Sequence, residues 1–267
     1  MTHVTRVTLR DMRSFVVTGG GRGVGRAVVE RLLADGQAVV AIELDARALA
    51  WVAGHPAGAR VVAVRGDAAL EDVAEHAAKL AAAIAPLSGW VNNAALFRDA
   101  SLDTDDAATI LDLITSNVAA AVTGCAVAVK HYLATGRGGA IVNVSSHQAQ
   151  RPVRGALPYA TAKAAIEGLT RAAAVDHGPA GIRVNAVALG SINTERYAAF
   201  LAGRDTQEVA AVTQQMAELH PLGRVGLTAE VADAVVYLLS DAASFVTGAV
   251  LPVDGGRAVR GPDPEEN

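Results

Sequence analysis

The chain has 267 residues, of which 51% are hydrophobic and 19% are charged, so its length and composition suit one α/β domain with a substantial apolar core. Its formal net charge of −4 provides no long-range attraction for nucleic acid or anionic lipid, which argues against both as partners. The single cysteine, Cys125, excludes an intrachain disulfide. Because residues 1–13 lack the apolar core of a signal peptide and no window offers about 18 uncharged apolar residues, we expect a cytoplasmic protein without a membrane partner.

Short β-branched runs alternate along the chain with longer Ala- and Leu-rich stretches. The short runs predict strands at residues 15–17, 38–42, 60–64, 89–91, 140–144, 182–188 and 249–253. The longer stretches predict helices at residues 24–34, 46–52, 70–85, 105–133, 158–176 and 229–240, with short helices in the less regular region 191–226. Seven apolar strands separated by helices predict a doubly wound parallel sheet of the Rossmann type, with helices on both faces.

No linker or repeat divides this pattern, so we expect a single domain. Residues 1–13 are interpreted as an N-terminal extension and residues 14–260 as the domain itself. Residues 261–267 contain no apolar residue, and their composition predicts a disordered tail.

A glycine-rich turn, residues 18–25, joins the first predicted strand to the first predicted helix. Gly19, Gly23 and Gly25 allow the backbone to turn sharply and to approach a pyrophosphate, which would rest on the N–H groups of the helix N-terminus. Their spacing departs from the Gly-x-Gly-x-x-Gly pattern, so an ordinary loop is an alternative for the glycines alone. Their position between a strand and a helix favours the dinucleotide site.

Glu43 ends the second predicted strand, about 20 residues beyond the glycines, where an acidic residue accepts hydrogen bonds from ribose hydroxyls. A carboxylate there repels the 2′-phosphate of NADP, which favours NAD, although a solvated strand end is an alternative. Arg22 in the glycine turn is the counter-evidence, because a basic residue could bind that phosphate. Asp67, after the third strand, has two interpretations: a hydrogen bond to the adenine edge, or an N-cap for the next helix.

Tyr159 and Lys163 are four residues apart in a predicted helix and therefore share a face. A nearby ammonium stabilises a phenolate and lowers the pKa of the tyrosine towards the range where acid–base catalysis works. Ser146 precedes Tyr159 by 13 residues and follows a strand, at the sheet edge where such folds bind ligands. Asn117 lies in the long predicted helix, where its amide is expected to interrupt the backbone ladder.

These features together resemble the short-chain dehydrogenase/reductase family, from residue 14 to about residue 259. The matching segments are Thr18-Gly-Gly-Gly-Arg-Gly-Val-Gly25, Asn92-Asn-Ala-Ala95, Asn117, Ser146, Tyr159-x-x-x-Lys163, Arg183-Val-Asn-Ala-Val187 and Val253-Asp-Gly-Gly256. Each is a weak signal alone, but all occur in order with matching separations. The separation of 13 residues from Tyr159 selects Ser146 over Ser145 as the catalytic serine.

The resemblance implies a role for each catalytic residue. Tyr159 would give the proton in reduction and take it in oxidation, and Ser146 would orient and polarise the substrate carbonyl. Lys163 would hold the nicotinamide ribose and lower the pKa of Tyr159. Asn117 would position a water that links Lys163 to bulk solvent.

The resemblance also implies cofactor contacts, which add to those of Arg22, Glu43 and Asp67 inferred above. The residues expected to bind the nucleotide are Gly19, Arg22, Gly23, Val24, Gly25, Glu43, Asp67, Asn93, Ala94, Tyr159, Lys163, Ile192 and Thr194. Asn93 and Ala94 would pack beside a ribose, and Ile192 and Thr194 would contact the carboxamide side of the nicotinamide. Leu189 stands where family members commonly have proline, which predicts a small change in the nicotinamide-facing loop without loss of binding.

The expected activity is hydride transfer between NAD(H) and a secondary alcohol or ketone. An NADPH-dependent 3-oxoacyl thioester reductase is the alternative within enzymes, and Glu43 argues against it. A catalytically idle nucleotide-binding regulator is the alternative from another class, and the complete set of catalytic residues argues against it. No histidine or cysteine pair has metal-ligand spacing, so no metal is expected.

The substrate is expected to contact residues 147–157 and 195–222, whose composition favours neutral, moderately apolar alcohols such as steroids or cyclic alcohols. A sugar or polyol remains open. His147, directly after Ser146, is expected either to line the substrate pocket or to lie at the surface or behind the pocket. Broad apolar faces on the two longest helices, and the family resemblance, predict a homotetramer, with a dimer as the alternative.

Overall fold

The computed structural model describes residues 12–261. The predicted N-terminal extension, apart from residues 12 and 13, and the predicted tail, apart from residue 261, lie outside the described residues. The strands are β1 Ser14–Thr18, β2 Ala38–Glu43, β3 Val61–Arg65, β4 Leu87–Asn92, β5 Gly139–Ser146, β6 Ile182–Leu189, β7 Ile192–Asn193, β8 Gly226–Leu227 and β9 Val250–Val253. The α-helices are α1 Gly23–Ala34, α2 Glu71–Ile84, α3 Ala107–Thr135, α4 Leu157–His177, α5 Glu195–Ala202, α6 Thr206–Leu219 and α7 Thr228–Leu239.

Seven strands form one parallel sheet in the order β3-β2-β1-β4-β5-β6-β9. The chain builds outward from β1 to β3 and then crosses to β4 on the other side of β1, so the strand order reverses between β1 and β4. The loops after these two strands diverge and leave a crevice at the carboxyl edge of the sheet, where doubly wound folds bind nucleotides. The predicted fold class is confirmed.

Both faces of the sheet are buried, as the apolar character of its strands requires. On one face, residues such as Val16, Val40 and Trp90 pack with α2, α3 and α4. On the other face, Phe15 and Val17 belong to a second core cluster that includes residues of α1 and α7. The two layers fix the positions of the strand ends, and so of the loops that carry the candidate site.

The structure refines three sequence expectations. The 3-10 helix Ala46–Val52 replaces the helix predicted there, and region 191–226 contains α5 and α6 together with the short parallel pair β7 and β8. Strand β5 continues through Ser146 instead of ending at residue 144.

Helix α3 corrects the expectation about membrane-spanning segments. Among residues 12–261 it is the one helix long and apolar enough to cross a membrane by length and composition alone, with a mean hydropathy of 1.6 over an 18-residue window. In the structure 44% of that window is buried, and α3 contacts α2, α4 and β4. Since core helices also meet the length and hydropathy criterion, this one helix is weak evidence for a membrane span.

Candidate active site

The glycine turn packs too tightly for side chains at four of its positions, Gly19, Gly20, Gly21 and Gly25. Gly19 has a φ of +63°, and a Cβ there would lie 2.9 Å from the side-chain amide of Asn93. A Cβ on Gly25 would overlap the carbonyl oxygen of Gly19, so only glycine lets α1 start this close to the turn. Gly23, the first residue of α1, has a φ of +54°, which also favours glycine.

The start of α1 has the properties of an anion site. Its N-cap residue is Arg22, whose side chain makes no capping hydrogen bond, and the first turn, which includes Val24, has no acidic residue. The N–H groups of this turn are therefore available, and the helix dipole favours negative charge there. Glycines that allow a close backbone approach, followed by such a turn, fit the pyrophosphate of a dinucleotide.

Glu43 lies at the carboxyl end of β2, beside the glycine turn. Its carboxylate accepts hydrogen bonds from the backbone N–H groups of Gly21 at 3.3 Å, Leu44 at 3.0 Å and Asp45 at 3.3 Å. These bonds hold the side chain in place beside the glycine turn.

Arg22 and Asp67, the other two residues expected near the adenosine, are engaged within the chain. The guanidinium of Arg22 lies 3.4 Å from the carboxylate of Asp45, and both side chains are largely exposed. Asp67 accepts a hydrogen bond from the N–H of Ala69 at 2.9 Å. The alternative interpretation of Asp67 as the N-cap of α2 is wrong, because Leu70 occupies that position.

Asn93 and Ala94 connect the end of β4 to the glycine turn. The N–H groups of both donate to the hydroxyl of Thr18, at 2.9 and 3.0 Å. The side-chain amide of Asn93 donates to the carbonyl oxygens of Thr18 and Gly19, each at 3.1 Å. These hydrogen bonds join the end of β4 to the end of β1. They bring Asn93 and Ala94 to the candidate nucleotide site.

Asn92, by contrast, points into the core. Its side-chain oxygen accepts from the indole N–H of Trp90 at 2.9 Å, and its amide donates to Asn143 at 2.8 Å. Asn143 in turn donates to Thr170 of α4 at 2.9 Å. This buried chain of polar contacts joins β4, β5 and α4, the elements that carry the candidate site at their ends.

Ser145 and Ser146 illustrate the alternation of side chains along a strand. Ser145 points into the protein and donates to the carboxylate of Glu167 at 3.0 Å. Ser146 points to the other side, where its hydroxyl accepts from the N–H of Gln148 at 3.2 Å and acts to lower the pKa of the nearby Tyr159. The structure therefore places Ser146, and not Ser145, beside the tyrosine.

Tyr159 and Lys163 lie on one face of α4, as their spacing predicts. The Lys163 Nζ is 5.3 Å from the centroid of the Tyr159 ring and donates to the carbonyl oxygen of Val144 at 2.7 Å. Both side chains are buried, with Lys163 only 2% exposed. Ser146, Tyr159 and Lys163 thus form one cluster at the carboxyl end of β5.

The expected lowering of the Tyr159 pKa is not seen in this arrangement. Burial raises the pKa of Tyr159 to about 12, and the Ser146 hydroxyl and the charge of Arg196 act weakly in the opposite direction. Burial also lowers the pKa of Lys163 to about 8. Burial outweighs the attraction between ammonium and phenolate here, because the ammonium of Lys163 is itself buried and directed at Val144.

Asn117, the fourth expected catalytic residue, lies in α3 and anchors the loop that follows β4. Its side-chain oxygen accepts from the N–H of Leu96 at 2.9 Å, and its amide donates to the carbonyl oxygen of Leu113 at 3.0 Å. Helix α3 is continuous through this residue, so the predicted interruption of the helix is wrong. The amide uses the carbonyl four residues earlier without ending the helix.

Of Ile192 and Thr194, the structure brings Thr194 to the glycine turn. Ile192 belongs to β7, and Thr194 caps α5 by accepting from the N–H of Tyr197 at 3.4 Å. The Thr194 methyl lies 3.5 Å from the position that a Cβ on Gly23 would take. Thr194, expected beside the nicotinamide, therefore lies next to the start of α1, whereas Ile192 packs against Gly226.

A family model described as enoyl-(acyl carrier protein) reductase matches residues 19–258 of the chain. The chain belongs to the short-chain dehydrogenase/reductase family. The resemblance inferred from the sequence motifs is thereby confirmed, and membership implies a nicotinamide cofactor.

Two relatives match over nearly their whole length. The chain is 40% identical to cis-4-hydroxycyclohexanecarboxylate dehydrogenase of Sinomonas cyclohexanicum, over 91% of this chain and 96% of the relative. It is 37% identical to 2,5-dichloro-2,5-cyclohexadiene-1,4-diol dehydrogenase of a Sphingobium indicum strain, again over 91% and 96%. The crystal structure of levodione reductase superimposes with a TM-score of 0.84 and 30% identity, covering 95% of this chain and 99% of that one.

Two residues beside Tyr159 were not identified from the sequence of this short-chain dehydrogenase. The ring of Phe97 lies 4.8 Å from the ring of Tyr159, and the guanidinium of Arg196 lies 3.9 Å above Phe97. Phe97 follows β4 and Arg196 begins α5, so only the folded chain brings them together. The single available signal was that Arg196 lies in the region 195–222 expected to contact the substrate.

Leu189, in the position where the family commonly has proline, continues β6 to the edge of the sheet. It pairs with Ser146 on one side and with Val253 on the other, and the next N–H, of Gly190, donates to the carbonyl oxygen of Val253 at 3.0 Å. A Cβ on Gly190 would lie 2.7 Å from the Cα of Asp254. The turn is thus fixed by strand pairing and close packing.

Proposed function

We propose that the protein interconverts a secondary alcohol and its ketone with NAD(H), using Tyr159 as the acid–base. The observation that carries this proposal is the cluster of Ser146, Tyr159 and Lys163 at the carboxyl end of β5, across the nucleotide crevice from the glycine turn. The Ser146 hydroxyl lies near enough to Tyr159 to lower its pKa, and two neighbouring hydroxyl groups suit the single oxygen of a carbinol or a carbonyl.

In the oxidation direction, Tyr159 accepts the proton of the substrate hydroxyl, while Ser146 donates a hydrogen bond that holds the same oxygen. The nicotinamide, when bound, supplies the acceptor for the hydride that leaves the carbinol carbon. Lys163 lies on the same face of α4 and would hold the adjoining ribose. In the reduction direction, Tyr159 returns the proton to the carbonyl oxygen.

The preference for NAD over NADP is supported by charge at the end of β2. Three backbone N–H groups hold the carboxylate of Glu43 beside Gly21, and the carboxylate of Asp45 is close by. Arg22, the one basic residue of the glycine turn, already interacts with Asp45. A 2′-phosphate would meet two negative charges and a cation that is partly neutralised, which disfavours NADPH and the 3-oxoacyl thioester reductase alternative.

A cyclic secondary alcohol is the proposed substrate class, and two of the relatives support it. Their names specify a hydroxycyclohexane and a cyclohexadiene diol. Phe97, beside Tyr159, offers a half-exposed apolar surface for such a ring. We also propose a homotetramer, for which the apolar surface of α3 is the support.

Binding and turnover together test the proposal. Calorimetric titration should show tighter binding of NADH than of NADPH, and a panel of cyclic secondary alcohols should be oxidised with NAD. The Tyr159→Phe variant should lose about 10²- to 10⁴-fold in turnover while it still binds NADH, because only the proton-transferring hydroxyl is removed. Tyr237→Phe, at an exposed tyrosine of α7, is the matched control and should be unaffected.

Preference for NADPH would overturn the assignment of Glu43. Full turnover in Tyr159→Phe would overturn the acid–base role, and binding of neither nucleotide would contradict the proposed function altogether.

A further inference from the structure

Phe97 and Arg196 form a stack on Tyr159, and the proposed function leaves the cation of this stack without a role. The Phe97 ring lies 4.8 Å from the Tyr159 ring at an interplanar angle of 31°, and the Arg196 guanidinium lies 3.9 Å above the Phe97 ring. One aromatic ring therefore separates a cation from the candidate acid–base. Although burial is the larger effect and raises the pKa of Tyr159, the charge of Arg196 acts to lower it, so its field reaches the phenol.

Arg196 has no acidic partner within the described part of the chain. Its side chain is exposed, and among residues 12–261 it forms neither an ion pair nor a hydrogen bond. The carboxylate of the preceding residue, Glu195, is directed at the glycine turn, 3.6 Å from the position that a Cβ on Gly23 would take. Other arginines do form ion pairs with Asp or Glu, namely Arg13, Arg22, Arg26, Arg31 and Arg224.

The stack leaves the hydrogen-bond donors of the Arg196 guanidinium free. Its central carbon lies over the Phe97 ring, and the five N–H donors of an arginine point outward in the plane of the group. Because the side chain is exposed, a ligand can reach these donors. The planar fork fits a carboxylate, which accepts two parallel hydrogen bonds and supplies one compensating charge.

Phe97 connects this cation to the point where the carbinol would bind. The Phe97 side chain is 48% exposed even though Tyr159 and Arg196 both contact its ring, so apolar surface remains for the carbon skeleton of a substrate. A molecule whose carbinol lies at Ser146 and Tyr159 can extend past this ring and present its other end to Arg196. The two functional groups must then be separated by a skeleton comparable in length to an aromatic ring.

We propose that Arg196 determines specificity by binding a carboxylate of the substrate, so that the preferred substrate is a secondary alcohol with a carboxylate at the end opposite the carbinol. The proposal rests on the proposed function and narrows its substrate class. The carbinol carbon gives its hydride to the nicotinamide and the hydroxyl gives its proton to Tyr159, whereas the carboxylate is unchanged. This substrate differs from the neutral alcohols that the composition of residues 195–222 favours, because composition does not show which charge lies near Tyr159.

A test requires substrates that differ only in the charge at this end. We choose the cis and trans isomers of 3- and 4-hydroxycyclohexanecarboxylate, each with its primary amide, which has nearly the same shape and no charge. At least one acid should exceed its amide about tenfold or more in kcat/KM, because a charge-assisted hydrogen bond is stronger than a neutral one. Calorimetric binding of the same pairs to Tyr159→Phe with NAD gives a second readout that does not depend on turnover.

Two variants separate the charge of Arg196 from a general effect of charge near α5. Arg196→Gln removes the cation, and the acid-to-amide ratio of kcat/KM should fall towards one. Arg204→Gln is the matched control, because Arg204 also stacks on an aromatic ring, that of Phe200 at 3.8 Å, but follows the end of α5. The ratio should stay unchanged in this control. A shift in the pKa of Tyr159 affects acid and amide alike, so it cancels in the ratio.

An unchanged ratio in Arg196→Gln, an equal fall in Arg204→Gln, or equal use of every acid and its amide by the unaltered protein would overturn the proposal and leave Arg196 as a solvated side chain. If amides and cyclohexanol are oxidised without a preference for acids, the proposed function stands and only this inference fails. If no alcohol is oxidised, the proposed function fails, and the calorimetric ratios decide the inference alone.

Discussion

The ammonium of Lys163 is buried, and among residues 12–261 its one hydrogen-bond partner is the carbonyl oxygen of Val144. Burial lowers the pKa of Lys163 from 10.5 to about 8. Between these two pH values the unfolded chain binds more protons than the folded chain, so the stability of the protein rises with pH across this window. Below pH 8 the destabilising effect of burying the charge is fully present.

The prediction concerns the unfolding free energy of Lys163→Met minus that of the unaltered protein. We predict that this difference decreases by about 2–3 kcal/mol between pH 7 and pH 10. The variant has no charge to bury, so only the unaltered protein recovers stability as the lysine loses its proton. Urea unfolding at both pH values measures the difference, and other titrating groups cancel because both proteins share them. Lys79→Met, at an exposed lysine of α2, should show no such change. A constant difference would show that Lys163 titrates normally.

At the same scale, the sequence predicted the candidate catalytic cluster but not its electrostatics. The separation from Tyr159, matched to the family pattern, selected Ser146 over Ser145, and strand alternation in β5 places the selected serine beside Tyr159. The direction of the Tyr159 pKa depends on burial, which requires the packed structure and is not carried by the four-residue spacing to Lys163. The contact of Phe97 with Tyr159 was not predicted for a related reason, because it joins segments more than 60 residues apart.

Helix α1 illustrates how one element depends on a single glycine. We predict that Gly25→Ala weakens NADH binding at least tenfold and destabilises the protein, because the new methyl group would overlap the carbonyl oxygen of Gly19 and push the helix away from the turn. The displaced N–H groups would no longer converge on the pyrophosphate. Calorimetric titration and thermal unfolding measure the two effects.

Gly168→Ala is the matched control for this substitution. Gly168 lies inside α4, and a Cβ there would have no neighbour within 4 Å. The change should stabilise the protein by about 0.5–1 kcal/mol, because alanine favours a helix more than glycine does, and leave NADH binding unaltered. Equal binding of NADH by Gly25→Ala and the unaltered protein would contradict the pyrophosphate site.

At the scale of elements, hydrophobic periodicity predicted the seven sheet strands and the main helices. Their ends were less predictable, because hydrogen bonding decides them. Strand β5 continues to Ser146 through pairing with β6, although residues 145 and 146 are polar. Asn117 does not break α3, because its amide bonds the carbonyl of Leu113 within the helix. In both cases a polar residue suggests, in the sequence, that the strand or helix ends there. In the fold, hydrogen bonds accommodate that residue within the element.

At the scale of the whole molecule, α3 has large apolar side chains that remain exposed in the single chain. Leu111, Val122 and Leu133 are each at least 44% exposed and lie 11 residues apart, about three helical turns, so they fall along one side of the helix. Val175, near the end of the neighbouring α4, is 77% exposed. An apolar stripe formed by exposed side chains aligned in this way is typical of a surface that associates with another subunit.

We therefore predict that the protein in solution has four times the 27.2 kDa mass of one chain and that Val122→Glu lowers this mass, because burying the new carboxylate at the centre of the stripe is unfavourable. Light scattering at several protein concentrations measures the mass. Leu70→Glu, at an exposed leucine before α2 and away from the stripe, should leave it unchanged. A mass of one chain for the unaltered protein would contradict association, and a mass of two chains would select the dimer. If Val122→Glu leaves a larger assembly intact, the subunits must associate through other surfaces, such as the exposed edge of β9.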